Sequence, residues 1–378
     1  LKFSGGFGEE GAMRFSIAVL APVFALSLAC SANAPSAPAP DAGVDGPPAR
    51  SEACLAQDQS MQTAIDGART SPVAALAVDS PACGRTVYVS GNRALGDAQS
   101  LWRIGSVTKT FVSAVVLDLV REGKIALGDP LAKWVPGVPA TDGVTVRMLM
   151  NHTSGIFNYT EVAAFFADRK RVWKPQEIVE LATKNPPYFA PGAGFHYSNT
   201  NYVLLGMIAE KAGGAKIGTL VRERAIAKAG LDGIFFDGEE PVVGTMTRGF
   251  ASNGKTDVTF LDDPSGPWAA GAIVARPGDL AAWVRALYGS DAVLDAERRA
   301  LLVEKPVASG QYGLGVMLLD ESQTTGGGTG LGHGGDISGF HTLAFYFPEK
   351  QTAIAVIVDR DGSDPNDVLV AAAPKAFE

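Results

Sequence analysis

Three short strings follow one another along the chain and carry residue types that acyl transfer needs: Ser106-Val-Thr-Lys109, Tyr197-Ser-Asn199 and His333-Gly-Gly335. Together they hold a hydroxyl nucleophile, two groups able to carry its proton, and a glycine pair against which a substrate backbone can lie. The first string is weak alone. With 22 serines and 14 lysines in 378 residues, composition by itself supplies about one Ser-x-x-Lys, and a second match stands at Ser252-Asn-Gly-Lys255. Context separates the two. Ser106 opens Val107–Arg121, a stretch without Gly or Pro that Gly123 closes, which predicts a helix started by Ser and stopped by Gly. The stretch is apolar on nearly every side, the mark of a helix in the middle of a domain. Three positions apart, Ser106 and Lys109 share one face of it. The helix start offers unpaired N–H groups and partial positive charge to a developing anion. A lysine partly desolvated there has its pKa lowered far enough to accept the serine proton. The bland alternative is an ordinary N-cap beside a solvated lysine. Ser252 reads as a polar turn between two strands.

Rival chemistries leave less trace. No serine has Gly at both −2 and +2, so the nucleophile elbow is missing. The four histidines, His152, His196, His333 and His341, form neither H-E-x-x-H nor a Cys/His cluster of metal spacing, and no metal or cofactor is expected. Nothing local suggests a Ser-His-Asp triad.

From about Leu101 to Val358 the chain resembles the serine β-lactamase and penicillin-recognising hydrolase superfamily, in its class C branch. The resemblance runs through WRIGSVTKTF, LMNHTSGI, PGAGFHYSNTNYVLLGMIAEKAGG, AAGAIVARPGDLAAW, YGLGVML and GHGGDISGF. Within the branch the chain is most similar to secreted D-alanyl-D-alanine carboxypeptidases, with family VIII esterases as cousins. The resemblance implies Ser106 as nucleophile, Lys109 as its partner, Tyr197 as general base or acid, and Asn199 as a hydrogen-bonding residue for lysine and substrate. It places His333 where a K-T-G motif has Lys. Physical reasons accompany these roles. Tyr197 works as a base only if cations such as Lys109 stabilise its phenolate. Asn199 supplies donor and acceptor from one amide. Gly334 and Gly335 let a substrate lie along the strand edge, and the Asp336 N–H pairs with that of Ser106 as an oxyanion hole. The plainer readings are a core aromatic for Tyr197, an N-cap for Asn199, a simple turn for the glycines and a structural histidine at 333.

His333 also weighs the substrate. In the resembling branch β-lactamases usually carry Lys there, family VIII esterases Trp, and carboxypeptidase-like members often His. The resemblance therefore implies a D,D-carboxypeptidase-like serine hydrolase acting on D-Ala-D-Ala peptides or β-lactams. A class C-like β-lactamase, a family VIII-type carboxylesterase and a penicillin-binding sensor that never turns over are the alternatives.

Composition and length frame this reading. The chain is 46% hydrophobic, enough for a sizeable core, and its net charge of −8 argues against nucleic acid or a polyanionic partner. The expected partner is a small molecule or a cell-wall peptide. Residues 1–12 read as a non-native upstream extension before Met13, 13–30 as a signal peptide, and 31–50 as a Pro/Ala-rich linker. Ser27-Leu28-Ala29-Cys30 approximates a lipoprotein box with shifted residues, so Cys30 is either lipidated, giving a membrane anchor, or removed. Export to the periplasm or medium follows, and an oxidising compartment permits a disulfide. A first helix running back along the first strand brings Cys54 beside the turn carrying Cys83, which predicts that pair; two buried free thiols are the alternative.

The patterns predict a helix over Ser51–Arg69, strands at Val73–Asp79 and Thr86–Ser90, and helices at Pro175–Lys184, Asn201–Lys211, Ile217–Lys228 and Pro277–Leu287. Strands follow at Gly313–Leu319, Thr342–Phe347 and Thr352–Val358, then a helix at Asn366–Ala373 stopped by Pro374. The expected class is α/β (α+β), β-lactamase/transpeptidase-like. Helices flank a sheet whose antiparallel order comes from the resemblance. Domain 51–378 divides into an α/β part (51–126 and 267–378) and an inserted all-helical part (127–266).

Overall fold

The computed structural model describes residues 50–306, 310–324 and 326–378. The extension, the leader with Cys30 and all of the linker except Arg50 lie outside the described residues. Ser51 starts α1 (Glu52–Ala68), its hydroxyl accepting the Cys54 N–H. The chain then turns into the hairpin β1 (Val73–Ser80) and β2 (Gly84–Gly91). Cys54 and Cys83 are joined by a disulfide, with Cα atoms 5.4 Å apart, tying the start of α1 to the hairpin turn.

Next come β3 (Trp102–Arg103), a 3₁₀ turn (Gly105–Val107) and α2 (Thr108–Arg121). The following section holds α3 (Pro175–Thr183), α4 (Asn199–Gly213) and β4 (Ile234–Phe236). After it stand β5 (Ile273–Ala275), α5 (Pro277–Gly289), β6 (Met317–Leu319), β7 (Gly330–Ile337), β8 (Phe340–Phe347), β9 (Thr352–Val358) and α6 (Pro365–Ala376).

Six strands form one sheet in the order β2-β1-β9-β8-β7-β6, every pairing antiparallel. Side-chain alternation divides β1 between two cores. Val73, Ala75 and Ala77 face the cluster that holds Phe111 of α2 and Trp283 of α5. Ala74, Leu76 and Val78 face Met61 and Ile65 of α1 with Val368 and Leu369 of α6. Both faces are covered, so β1 and β9 read as near-continuous apolar runs. α5 lies against the sheet and α2 lies on α5, where Phe111 stacks on Trp283 at 3.9 Å and Trp283 Nε1 donates to Thr110 Oγ1. With no face left for water, α2 is buried from Thr108 to Leu119.

Several boundaries differ from the sequence pattern for identifiable reasons. The 127–266 section is not wholly helical, because buried Ile234–Phe236 pairs with β5 in a second sheet, β3-β5-β4. Strands of two or three residues show no alternation to read. The helix from Ile217 is regular only to Val221 and then widens into a π-helical turn, Arg222–Ile226. The strand expected from Gly313 begins at Met317, since Gly315 turns at φ +86° against Ser113. Pro374 lies inside α6 rather than after it. The carbonyl it leaves without a helical partner is that of Val370, an exposed residue that water can serve. Among the described residues no helix is long and apolar enough to cross a membrane.

Candidate active site

From Leu101 to Leu119 every residue is buried except Ser106, which stands in the 3₁₀ turn before α2. Its hydroxyl does not cap the helix, as the sequence suggested; it lies 2.9 Å from Lys109 Nζ. The other candidate, Ser252, sits in an exposed turn with Lys255.

Lys109 is fully buried and among the described residues has no carboxylate partner; burial pulls its pKa well below the ordinary lysine value. Its Nζ also lies 2.8 Å from Asn199 Oδ1 and 2.8 Å from the Ala270 carbonyl, and both of those oxygens can only accept. Once the ammonium has lost a proton, its two remaining hydrogens can serve these two oxygens. The lone pair is then left for the Ser106 hydroxyl, the arrangement a serine proton acceptor needs.

Asn199 opens α4. Its Nδ2 donates to Thr160 Oγ1 at 3.2 Å and its N–H to Asn158 Oδ1 at 3.0 Å, which turns the amide oxygen toward Lys109. Tyr197 precedes it with its hydroxyl buried, and Lys109 Nζ lies 4.9 Å from the ring centre. Burial pushes the phenol well above its ordinary pKa, opposed by its interaction with the Ser106 hydroxyl. The ground state is therefore a protonated phenol. The condition set for a phenolate base, a cation such as Lys109 beside the ring, is opposed by the same burial that lowers the lysine's pKa.

The sheet edge approaches from the other side. A side chain on Gly335 would stand 2.0 Å from the Ile104 carbonyl oxygen and 3.1 Å from the Ser106 nitrogen. Gly105, at φ +50°, leaves no more room, since a Cβ there would meet the Asp336 nitrogen at 2.8 Å. Glycines on both backbones thus bring the Ser106 and Asp336 N–H groups to one place. β6 pairs only with Gly330–Gly332 of β7, and among the described residues His333–Ile337 has no strand partner on that edge.

His333 does not act as the cation that a lysine in its place would be. It is buried, with Nε2 2.9 Å from Tyr312 Oη and Nδ1 bonded to the Gly334 carbonyl. Burial, then the nearby Lys109, pushes its pKa down to about 3. Asp336 is exposed and its carboxylate bonds His341 Nδ1.

The β-lactamase family model matches residues 66–375 of the 378. The chain belongs to the β-lactamase family. It is a serine hydrolase of the superfamily that also holds the penicillin-binding proteins. Penicillin-binding protein 4* of Bacillus subtilis (strain 168) is 26% identical over 295 residues, 72% of this chain and 64% of that relative, so the chain spans less than two thirds of its length. Among solved structures, a D-stereospecific amidohydrolase from Streptomyces sp. is 32% identical with a TM-score of 0.75, covering 83% of this chain and 98% of that one. A D-amino acid amidase from Ochrobactrum anthropi SV3 is 25% identical with a TM-score of 0.76, covering 85% and 99%.

In this family member, then, the structure brings Ser106, Lys109, Tyr197 and Asn199 into direct contact or one step from it, with Gly334, Gly335 and Asp336 alongside. Cys54 and Cys83 lie apart, at the start of α1 and the hairpin turn. Sequence reasoning gave no role to Asn158, Thr160, His152 or Tyr312. The last two sit inside LMNHTSGI and YGLGVML, strings visible in the sequence whose partners are not.

Proposed function

We propose that this serine hydrolase cleaves amide bonds of D-amino acid derivatives and short D-peptides through an acyl ester on Ser106. The observation that carries the reading is the desolvated Lys109, its Nζ 2.9 Å from the Ser106 hydroxyl and held by the Asn199 and Ala270 oxygens. Lys109 takes the hydroxyl proton as Oγ bonds to the substrate carbonyl carbon. The N–H groups of Ser106 and Asp336 receive the oxyanion. As the C–N bond breaks, the Tyr197 phenol protonates the leaving nitrogen and the proton held by Lys109 restores the phenol. Water then takes the leaving group's place and the steps run in reverse to free the acid.

D-configuration is supported by the two amidase structures, which cover nearly all of their own chains. The leaving group is argued from β7. His333 is neutral, Gly334 and Gly335 carry no hydroxyl, and the one charged side chain between Gly330 and Ile337 is the acidic Asp336. That edge offers a substrate carboxylate no fixed positive charge. We therefore place amides ahead of the D-Ala-D-Ala carboxypeptidase substrate, and β-lactams and small esters behind both. The leader read at 13–30, together with the disulfide, supports export to an oxidising compartment.

Comparing kcat/KM for D- and L-amino acid amides, a D-Ala-D-Ala peptide, a chromogenic cephalosporin and p-nitrophenyl esters tests this order. D-amides should lead, with a covalent adduct on the Ser106 peptide. Preference for L-amides, or an adduct elsewhere, would sink the proposal.

A further inference from the structure

Beside Tyr197 stand three buried polar side chains that the steps above do not use as acid or base: His152, Tyr312 and His333. They come from three distant segments and form one series of hydrogen bonds. His152 Nδ1 accepts the Ser198 N–H at 3.2 Å and lies 3.1 Å from Asn201 Nδ2. Its Nε2 lies 3.2 Å from Tyr312 Oη, which lies 2.9 Å from His333 Nε2, while His333 Nδ1 meets the Gly334 carbonyl.

The two ring tautomers in this series are fixed from its ends. The Ser198 N–H can only donate, so His152 Nδ1 is unprotonated and a neutral ring carries its hydrogen on Nε2, donated to Tyr312. The Gly334 carbonyl can only accept, so a neutral His333 carries its hydrogen on Nδ1 and accepts at Nε2. The Tyr312 hydroxyl, which Tyr202 also meets, can then accept from one ring and donate to the other. Each bond between the rings and this hydroxyl has one hydrogen. The backbone supports a functional purpose: His152 sits at φ +60°, a left-handed conformation that a β-carbon disfavours.

Gly334 and Asp336, two positions apart on β7, present their backbone groups to the same edge. We propose that His152 and Tyr312 are positioning residues: their one-directional chain holds His333 as a neutral Nδ1–H ring on the Gly334 carbonyl, fixing the edge from which the Asp336 N–H meets the Ser106 turn. This rests on the acyl-transfer reading of Ser106. Burial keeps both rings uncharged, His152 well below its ordinary pKa. Lys109 is the titratable group of α2 that acts on both and His196 also acts on His152; Tyr197 faces both rings, Tyr202 faces His152, and Asp336 shares the strand.

The test uses the resting protein. Long-range ¹H–¹⁵N spectra, assigned with His333→Asn, should show His152 as the Nε2–H and His333 as the Nδ1–H tautomer, both neutral from pH 5 to 8. Reversed tautomers, or a charged ring at pH 7, would overturn the proposal. Tyr312→Phe should then shift the His333 ring signals and lower kcat about ten- to a hundredfold, as a small misplacement does, with KM nearly unchanged. Unchanged kcat in a folded Tyr312→Phe would equally overturn it. Mass spectrometry for an acyl adduct of a D-amino acid amide on the Ser106 peptide of the wild type separates the two readings. Its failure removes the acyl-transfer reading, whereas the tautomers are read without substrate and stand or fall alone.

Discussion

The two faces of the six-stranded sheet are built from the same strands and spend their burial differently. On the α1/α6 face the buried side chains are almost all apolar: Met61, Ile65, Leu76, Val356, Val368 and Leu369 among them. A disulfide fastens the start of α1. On the α2/α5 face the alternate residues of the same strands support a core that encloses Lys109, His152, Tyr312 and His333, all nearly or fully buried. A buried polar group costs free energy unless it is bonded. The second face bonds its polar groups to one another, which makes them exact in position and sensitive to any loss. The contrast teaches a division of labour: stability resides where the core is plain, and chemistry where the core is polar. Substitutions on the two faces should therefore separate rate from stability.

The largest separation is expected at Ser106. Ser106→Ala should remove turnover by at least about ten-thousandfold and abolish covalent labelling, while leaving the melting temperature unchanged; Ser252→Ala should leave all three intact. Next come Lys109→Met and Tyr197→Phe, each slowing acylation by about a hundredfold or more. Because both residues serve one proton path, the double variant should be little worse than either single one. For Lys109→Met, losing the desolvated amine and leaving the Asn199 and Ala270 oxygens without a donor act in opposite directions on stability. Urea denaturation should show a shift within about 2 kcal/mol. Multiplicative rate losses, or a Lys109→Met chain that does not fold, would break the division between faces.

The plain face should answer in the opposite sense. Cys54→Ser with Cys83→Ser opens a loop whose ends are 29 positions apart, worth about 3–4 kcal/mol in the chain-entropy model. Chemical denaturation of the double variant should show that loss, and kcat/KM at 25 °C should stay within twofold of wild type. A rate that falls with the stability would show that the site is coupled to the hairpin.

The same contrast explains what could be read from one dimension. α1, β1, β2 and β9 are long enough for pattern and flanking turns to declare them; β3, β4 and β5 are not, and pair only because tertiary packing brings them together. At the site, Ser106, Lys109, Tyr197 and Asn199 lie in short local strings, so residue types and spacing point to them. Charge states are another matter. The lowered pKa of Lys109, the raised one of Tyr197 and the uncharged His333 all follow from burial, which no string records. The His152–Tyr312–His333 chain joins residues 160 and 21 positions apart, and no motif spells a bond between them.

The smallest expected effect sharpens the comparison at the site edge of the sheet, between two histidines on neighbouring strands that point to opposite faces. His333 is held neutral, so its contribution is present above the ordinary histidine pKa and fades as pH falls toward about 3. His341, opposite Asp336 on β8, is the reverse case. Burial pulls its pKa down, but the hydrogen bond to Asp336 and the Asp361 carboxylate 3.6 Å from Nε2 overcome this and raise it to about 9. A raised folded-state pKa gives stability that is complete below the ordinary value and lost as pH rises through about 9. Both carboxylates are partly or largely exposed, so screening leaves on the order of 1–2 kcal/mol. Urea denaturation at pH 7 and pH 10 should show a larger alkaline loss in wild type than in His341→Gln, which has no proton to release. The rate should follow, because the carboxylate that His341 balances belongs to the residue whose N–H faces Ser106. An equal alkaline loss in both proteins would mean that the Asp336–His341 pair carries no weight, and that β7 is held from the Tyr312 side alone.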